Sequence, residues 1–347
     1  MKIKKLHIEN YKSLVNVEIN EPNPFTVFVG PNGSGKSNLF EAIEFGNFCY
    51  RFSPSEAINI FGINDIVSRN NINKINEKID VDIREFNQNI FLGSTTNSHE
   101  IKINLTVNET DFFTLIGLGF LNYGSQPSNI ESLKKLPEYI KYFDGFSRIF
   151  VGREQGRKLN IFDDKKLNQD ASNLENVLKR ILDNKNTKED IIEWLQIFVP
   201  EFEKIEIHSS TLSGKNELAI FEKSIKQPLT KNLISDGTYN ILALLTAIYQ
   251  SDEPQFLCIE EPENGLNPFV VKKLVGLFRE ACETKGHYIW INTHSQTLVN
   301  QLTPEELILV NKKEGATTIK QLNGTNLHGL DMDEAWLSNA LGGGVPW

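Results

Sequence analysis

The sequence predicts an α/β fold whose parallel core is interrupted by a mostly helical insertion and carries an antiparallel β portion near its start. Three observations predict it. A short apolar strand runs into a glycine-rich turn and then into a helical pattern at residues 25–52. From residue 237 to 294, helical and strand-like stretches alternate, as parallel α/β units require. Between these ends, residues from about 110 to 195 carry helical stretches and lack strand signals. The expected division is 1–110 for the N-terminal part of the core, 111–200 for the insertion and 201–347 for the C-terminal part.

The elements follow in order. "MKIKKLHIENYKSLVNVEI" alternates apolar and polar residues around "NYKS", which predicts two short strands and a turn. "FTVFVG" is a continuous apolar run closed by glycine, the pattern of a buried strand, and "SNLFEAIEFGNFCYRF" has helical spacing. "KIDVDIREF" and "HEIKINLTV" alternate and predict an antiparallel pair. "SNLENVLKRILDN" and "TKEDIIEWLQIF" read as helices, and "EKIEIHSS" and "NELAIFEK" return to strand. Helix "GTYNILALLTAIYQ", strand "QFLCIEE", helix "NPFVVKKLVGLFREACETKG" and strand "YIWINTH" complete the core. The run from Asp331 to Leu341 predicts a short helix with Gly342 as its C-cap, ahead of a terminal Val345-Pro346-Trp347.

Gly30-Pro31-Asn32-Gly33-Ser34-Gly35-Lys36-Ser37 satisfies G-x-x-x-x-G-K-[ST] in the strand–loop–helix setting that the motif needs. The chemistry explains the spacing. Glycines allow backbone N–H groups to converge on phosphates, and the helix that follows turns its positive end toward them. Lys36 then serves the β- and γ-phosphates of ATP, Ser37 ligates Mg²⁺, and Asn38 belongs to the same turn. Further along, "FLCIEEPENGL" ends an apolar strand in two adjacent carboxylates. Glu260 is placed to hold Mg²⁺ through water, and Glu261 to polarise the attacking water. "YIWINTHSQ" ends a buried strand at His294, a γ-phosphate contact. "NLISDGTYNIL" puts Ser235, Asp236 and Gly237 at a helix start, which suits an anion or, more plainly, a Ser/Asp cap.

Together these motifs resemble the ATP-binding-cassette ATPases of the RecF/SMC-like branch, close to the AAA_21 and OLD-like bacterial proteins. The resemblance spans both ends of the chain, through "LHIENYKSL", "GPNGSGKSN", "LISDGTYNILALL", "LCIEEPENGLNP" and "INTHSQTLV". It implies a P-loop NTPase of the ABC-ATPase head type. It also implies that 235–238 is the signature, 264–267 the D-loop and His294 the switch histidine. Two departures stand out: Glu260 replaces the more common Asp, and the signature reads "SDGT". Gln88 and Gln155 both fit the Q-loop glutamine. The resemblance further implies a homodimer that sandwiches ATP, each signature completing the partner's site.

Composition narrows the load that such an ATPase drives. A net charge of −9 argues against a generally basic nucleic-acid coat, and no apolar run approaches the roughly 20 residues of a membrane span. Cys49, Cys258 and Cys282 fit no zinc pattern and point to a reducing, cytoplasmic setting. No heptad arm or C-terminal nuclease-sized domain is visible. The expectation is an ATP-hydrolysing switch that regulates DNA engagement or a partner effector encoded nearby, in genome defence. The alternative is a RecF-like repair loader. Lys2, Lys4, Lys5 and Lys12 suit either a DNA contact or an exposed edge strand, and Arg148, Arg153, Arg157 and Lys158 either a groove or a solvated face. Trp347 suits either a core contact or a docking peptide.

Overall fold

The computed structural model describes residues 2–51, 54–66, 100–107, 110–117, 145–150, 164–209 and 215–343. The chain forms two compact units, Met1–Phe146 with Thr303–Trp347, and Ser147–Leu302.

In the first unit, β1 (Ile3–Tyr11) and β2 (Leu14–Asn20) make the expected hairpin, with Tyr11 opposite Leu14. β4 (Glu100–Val107) adds to the other edge of β1, and β5 (Thr110–Gly117) follows it, giving the antiparallel order β2-β1-β4-β5. The strand expected to partner "HEIKINLTV", "KIDVDIREF", lies outside the described residues. β3 (Phe25–Val29) is buried at all five positions. It runs parallel to β12 (Leu307–Lys313), and β13 (Ala316–Gln321) folds back antiparallel on β12. Glu314 and Gly315 both take positive φ in that two-residue turn, the geometry a tight hairpin demands. α1 (Lys36–Arg51) leaves the glycine loop, followed by α2 (Pro54–Phe61) and α3 (Ile63–Ile66). Phe45 of α1 sits 5.6 Å from the Tyr11 ring and 5.3 Å from the Phe61 ring, so one buried aromatic cluster locks the helix to the sheet.

The second unit holds the alternating run. β10 (Phe256–Glu260) and β11 (Tyr288–Thr293) are parallel neighbours, with Cys258 opposite Trp290, and β6 (Phe146–Ile149) lies beside β10. Every residue of β10 and β11 is buried, which explains continuous apolar runs in place of alternation. α4 (Leu174–Leu182) and α5 (Lys185–Phe198) match the two expected helices. β7 (Phe202–Ser209), β8 (Asn216–Glu222) and β9 (Leu229–Thr230) form a small antiparallel sheet. α6 (Asp236–Tyr249) is buried over ten successive residues. α7 (Pro268–Lys285) starts at an Asn267 cap with Pro268 at its first position. It ends at Gly286, whose φ of 68° is the left-handed stop that glycine supplies. The short α8 (Gln296–Val299) follows.

Two expectations change at the level of elements. The 111–200 segment opens in strand β5 and contains the whole of β6, beside its two helices. Near the C-terminus, α9 (Met332–Leu337) stops well before Gly342. Asn339 takes a φ of 60° and breaks the helix there. The indole that α9 buries is Trp336, while Trp347 lies outside the described residues. Lys320 Nζ donates to the Leu341 carbonyl at 2.8 Å, so the chain as far as Gly343 folds back along β13.

Candidate active site

The glycine loop of the first unit is held by a wall that the motif does not contain. A Cβ on Gly30 would run into the Val310 carbonyl, and one on Gly35 into the Thr317 hydroxyl. These glycines are there to let β12 and β13 approach. Thr317, buried on β13, donates its hydroxyl to the Ser34 carbonyl at 2.7 Å. Its proton is thereby used, so the 2.7 Å contact with Ser13 must run from Ser13 Oγ to Thr317 Oγ1. Asn38 Nδ2 donates to Ser13 Oγ at 2.8 Å. A directional relay therefore runs from Asn38 through Ser13 and Thr317 to the loop, and Thr317 N–H also donates to the Ser13 carbonyl at 2.7 Å. Asn38 thus supports the loop from behind.

Within the loop, Lys36 is buried and its ammonium donates to the carbonyls of Gly30 at 2.7 Å and Pro31 at 3.1 Å. Ser34 Oγ is buried with no hydrogen-bond partner among the described residues. Asn32, Gly33 and Ser37 are exposed, with Gly33 at a φ of 74°. A buried ammonium resting on two carbonyls, a serine hydroxyl without a partner and a glycine turn open to solvent fit a phosphate-bearing ligand.

The second unit brings the remaining candidates together. Glu260, at the end of β10, is buried and paired with Arg148 of β6. Arg148 Nε donates to Oε1 at 2.8 Å, and its Nη2 donates to the same oxygen. Arg148 is therefore a buried ion-pair partner and not part of a solvated basic face. Arg153, Arg157 and Lys158, and the two glutamines Gln88 and Gln155, lie outside the described residues.

Glu261 is held at a φ of 46°, a conformation that costs a non-glycine residue on the order of 1 kcal/mol. Its N–H donates to the Asn292 carbonyl of β11 at 2.9 Å, and its carboxylate accepts from Asn264 Nδ2 at 3.1 Å. Glu263 ties the turn to the end of β11. Its Oε1 accepts from the Thr293 hydroxyl and, at 3.3 Å, from the N–H of the exposed His294. Glu263 Oε2 is sealed from solvent with no partner among the described residues. Burial pushes the Glu263 carboxyl above the usual range, against the lowering by Thr293 and the loop N–H groups.

At the start of α6, Ser235 is the N-cap: its Oγ accepts from Thr238 N–H at 3.1 Å. Asp236, the other capping candidate, is the first helical residue and lies exposed. Gly237 has no room for a side chain, because a Cβ there would stand 2.6 Å from the Gly265 carbonyl. Asn240, one turn on, donates to the Pro262 carbonyl at 3.1 Å and the Asn264 carbonyl at 2.9 Å. Helix α6, the turn at 262–265, Glu261 and His294 are thus one hydrogen-bonded assembly. Thr317, Ser13, Arg148, Glu263 and Asn240 are the residues that the motifs did not name. Their local sequence does not mark them, because their partners lie far along the chain.

The basic residues of the first hairpin are engaged. Lys5 pairs with Glu18 at 2.7 Å, Lys4 with Glu21 at 3.5 Å and Lys12 with Glu41 at 2.6 Å. These lysines are ion-paired, and β1, which carries Lys4 and Lys5, is an interior strand between β2 and β4, so the exposed-edge expectation does not hold for it. Among the described residues no helix is long and apolar enough to cross a membrane, and no group of three or more His, Cys, Asp or Glu gathers as a metal cluster.

A glycine loop leading into α1, an acidic strand end and a Ser-capped helix α6 fit an ABC-type P-loop ATPase of the RecF/SMC-like branch. Comparison with known proteins agrees. Residues 25–300 match the AAA_21 family, described as "AAA domain, putative AbiEii toxin, Type IV TA system", and the chain belongs to that family. A stretch of 43 residues is 46% identical to the chromosome partition protein Smc of Methanococcus voltae, covering 12% of this chain and 4% of that protein. Another of 49 residues is 45% identical to the DNA replication and repair protein RecF of Bacteroides fragilis, covering 14% and 13% respectively. These alignments thus span only a small part of either relative. In fold, the chain matches the SMC head domain from Thermotoga maritima over 92% of its length and 99% of that chain, with a TM-score of 0.51 and 14% identity. A Pyrococcus furiosus Smc head bound to the C-terminal domain of ScpA matches over 99% of each chain, with a TM-score of 0.56 and 15% identity.

Proposed function

We propose that this chain is an ATP-binding and hydrolysing switch that dimerises around ATP and regulates a partner effector in genome defence. One observation supports it most. Glu261, the candidate that orients water, is pinned at a strained φ and wired through the 262–265 turn to both His294 and the signature helix. A structural strand end has no need of such an arrangement.

In this reading Gly30, Asn32, Gly33, Gly35 and Lys36 receive the phosphates, and Lys36 trades the Gly30 and Pro31 carbonyls for phosphate oxygens. Ser37 and Glu260 are the residues that would hold Mg²⁺, which would supply charge neutralisation for phosphoryl transfer. Glu261 accepts the proton of the attacking water, and His294 donates to the γ-phosphate. Ser235, Asp236 and Gly237 present their helix start to the nucleotide of a second copy. Leu233 and Phe269, 65% and 59% exposed, flank the signature and the 264–267 turn. Large apolar side chains in that position suit a face that another protein covers. The description of the family as a toxin–antitoxin component supports a role beside an effector.

The test is complementation. Lys36→Ala and Ser235→Arg proteins, each inactive alone, are mixed and phosphate release is followed. Recovered activity is expected, because one site of the mixed dimer then pairs an intact loop with an intact signature. No recovery, with an ATP-loaded Glu261→Gln protein that stays monomeric in light scattering, would reject the shared site.

A further inference from the structure

Glu260 is the acid proposed above to hold the metal, and it is not waiting empty. Its side chain is 1% exposed and that of Arg148 is 6% exposed. Two guanidinium nitrogens converge on one carboxylate oxygen. The guanidinium carbon also stands 5.0 Å from the centre of the Phe150 ring, so the cation is sandwiched between a carboxylate and an aromatic face. A carboxylate buried this deeply requires a positive neighbour, because an uncompensated charge out of water is strongly unfavourable. Arg148 supplies that charge from β6, a strand that the motifs do not include.

We propose that Arg148 is the resident counter-ion of Glu260 and that a divalent metal displaces it. The inference rests on the reading of Glu260 as a metal acid. Metal loading and rupture of the ion pair are then one event, with one cation exchanged for another on the same carboxylate. Strand β6, which carries Arg148 on the C-terminal side of the 111–146 segment, becomes the element that senses the exchange. Arg148 is a positioning residue: it touches the acid and acts through it.

The experiment uses the full chain with Mn²⁺ as the probe, followed by electron paramagnetic resonance and calorimetry, and with thermal melting in EDTA. Arg148→Gln removes the competing cation, so Mn²⁺ should bind about tenfold tighter or more than in the parent. In EDTA the same variant should melt lower, since Glu260 is left uncompensated, and added Mn²⁺ should restore most of the loss. The double variant Arg148→Gln with Glu260→Gln should regain melting temperature in EDTA and respond no further to Mn²⁺. Arg148→Lys, which keeps the charge and loses the two-nitrogen grip, should lie between parent and Arg148→Gln; it carries the test alone if the glutamine variant fails to fold. Unchanged or weaker Mn²⁺ binding in the Arg148 variants, with binding abolished by Glu260→Gln, would overturn the exchange and leave the metal acid in place. Parent-like Mn²⁺ binding by Glu260→Gln would instead sink the metal acid itself.

Discussion

Thr317→Val is the sharpest probe of how the nucleotide loop is built. Valine has nearly the shape of threonine, so the substitution removes a hydroxyl and little else. That hydroxyl donates to the Ser34 carbonyl and accepts from Ser13, both at 2.7 Å, at a site 2% exposed. Two groups lose their partners in the variant, and water reaches neither readily. Each orphaned group costs about 1–2 kcal/mol, and relay cooperativity works in the same direction, so the expected loss is about 2–4 kcal/mol. The loss falls on the loop as well as on the fold, because Ser34 is one of its residues. Urea unfolding followed by circular dichroism measures the first effect. A fluorescent ATP analogue measures the second, and its affinity should fall by about tenfold, equivalent to some 1.4 kcal/mol of the total. Thr317→Ser, which keeps the hydroxyl, should recover nucleotide affinity. A Thr317→Val protein that unfolds at the parent's urea midpoint and binds nucleotide as tightly would show that the relay does not brace the loop.

Two further expectations concern chemistry and pH. Glu261→Gln should retain ATP binding while slowing phosphate release by on the order of a hundredfold or more, because the water loses its proton acceptor; a parent rate would remove Glu261 from that role. His287 is fully buried, and burial pushes its pKa down to about 4 despite the Ile248 carbonyl bound at Nε2. Gln255 N–H donates to Nδ1 at 3.1 Å, so the ring is neutral with its proton on Nε2. The folded pKa lies below the unfolded one, so the stability this neutral ring contributes is present above about 6.5 and is lost as pH falls toward 4. The loss is about 3 kcal/mol. His287→Gln should flatten that part of the pH–stability curve, and an unchanged acid limb would refute the assignment.

The motif-bearing elements were legible because each obeys a local rule. Strand β3, the glycine loop and α1 announce themselves through a buried apolar run, a fixed glycine spacing and a helical period. β10 and β11 do so through continuous burial. β12 and β13 lie outside every motif, although "LILVNKKEGATTIKQ" alternates on both sides of a Glu-Gly turn. The relay through Thr317 was out of reach for another reason. It joins residues 283 positions apart in sequence, and no periodicity encodes a contact of that range. The pairing of Arg148 with Glu260 was hidden in the same way, across 112 positions. The sequence alone leaves that arginine open between a groove and a solvated face. Glu263 sits in the same Glu-Pro-Glu run, and its bond to the Thr293 hydroxyl joins residues 30 positions apart.

The back wall of the nucleotide loop has a consequence for biosynthesis. β3 and the loop leave the ribosome early, but β12, which pairs with β3, and Thr317, which closes the relay, follow only after residues 147–302 have been made. During translation the loop emerges with its glycines facing no wall and the apolar edge of β3 uncovered. The contiguous middle unit can complete its own core first, whereas the unit built from both chain ends pays for its long-range pairing last. A nascent chain is therefore exposed to strand mispairing until its final strands appear. ATP added during synthesis should protect only chains extended beyond Gln321. Premature stops between His294 and Leu307 should yield a product with every nucleotide motif in its sequence and no braced loop to use them.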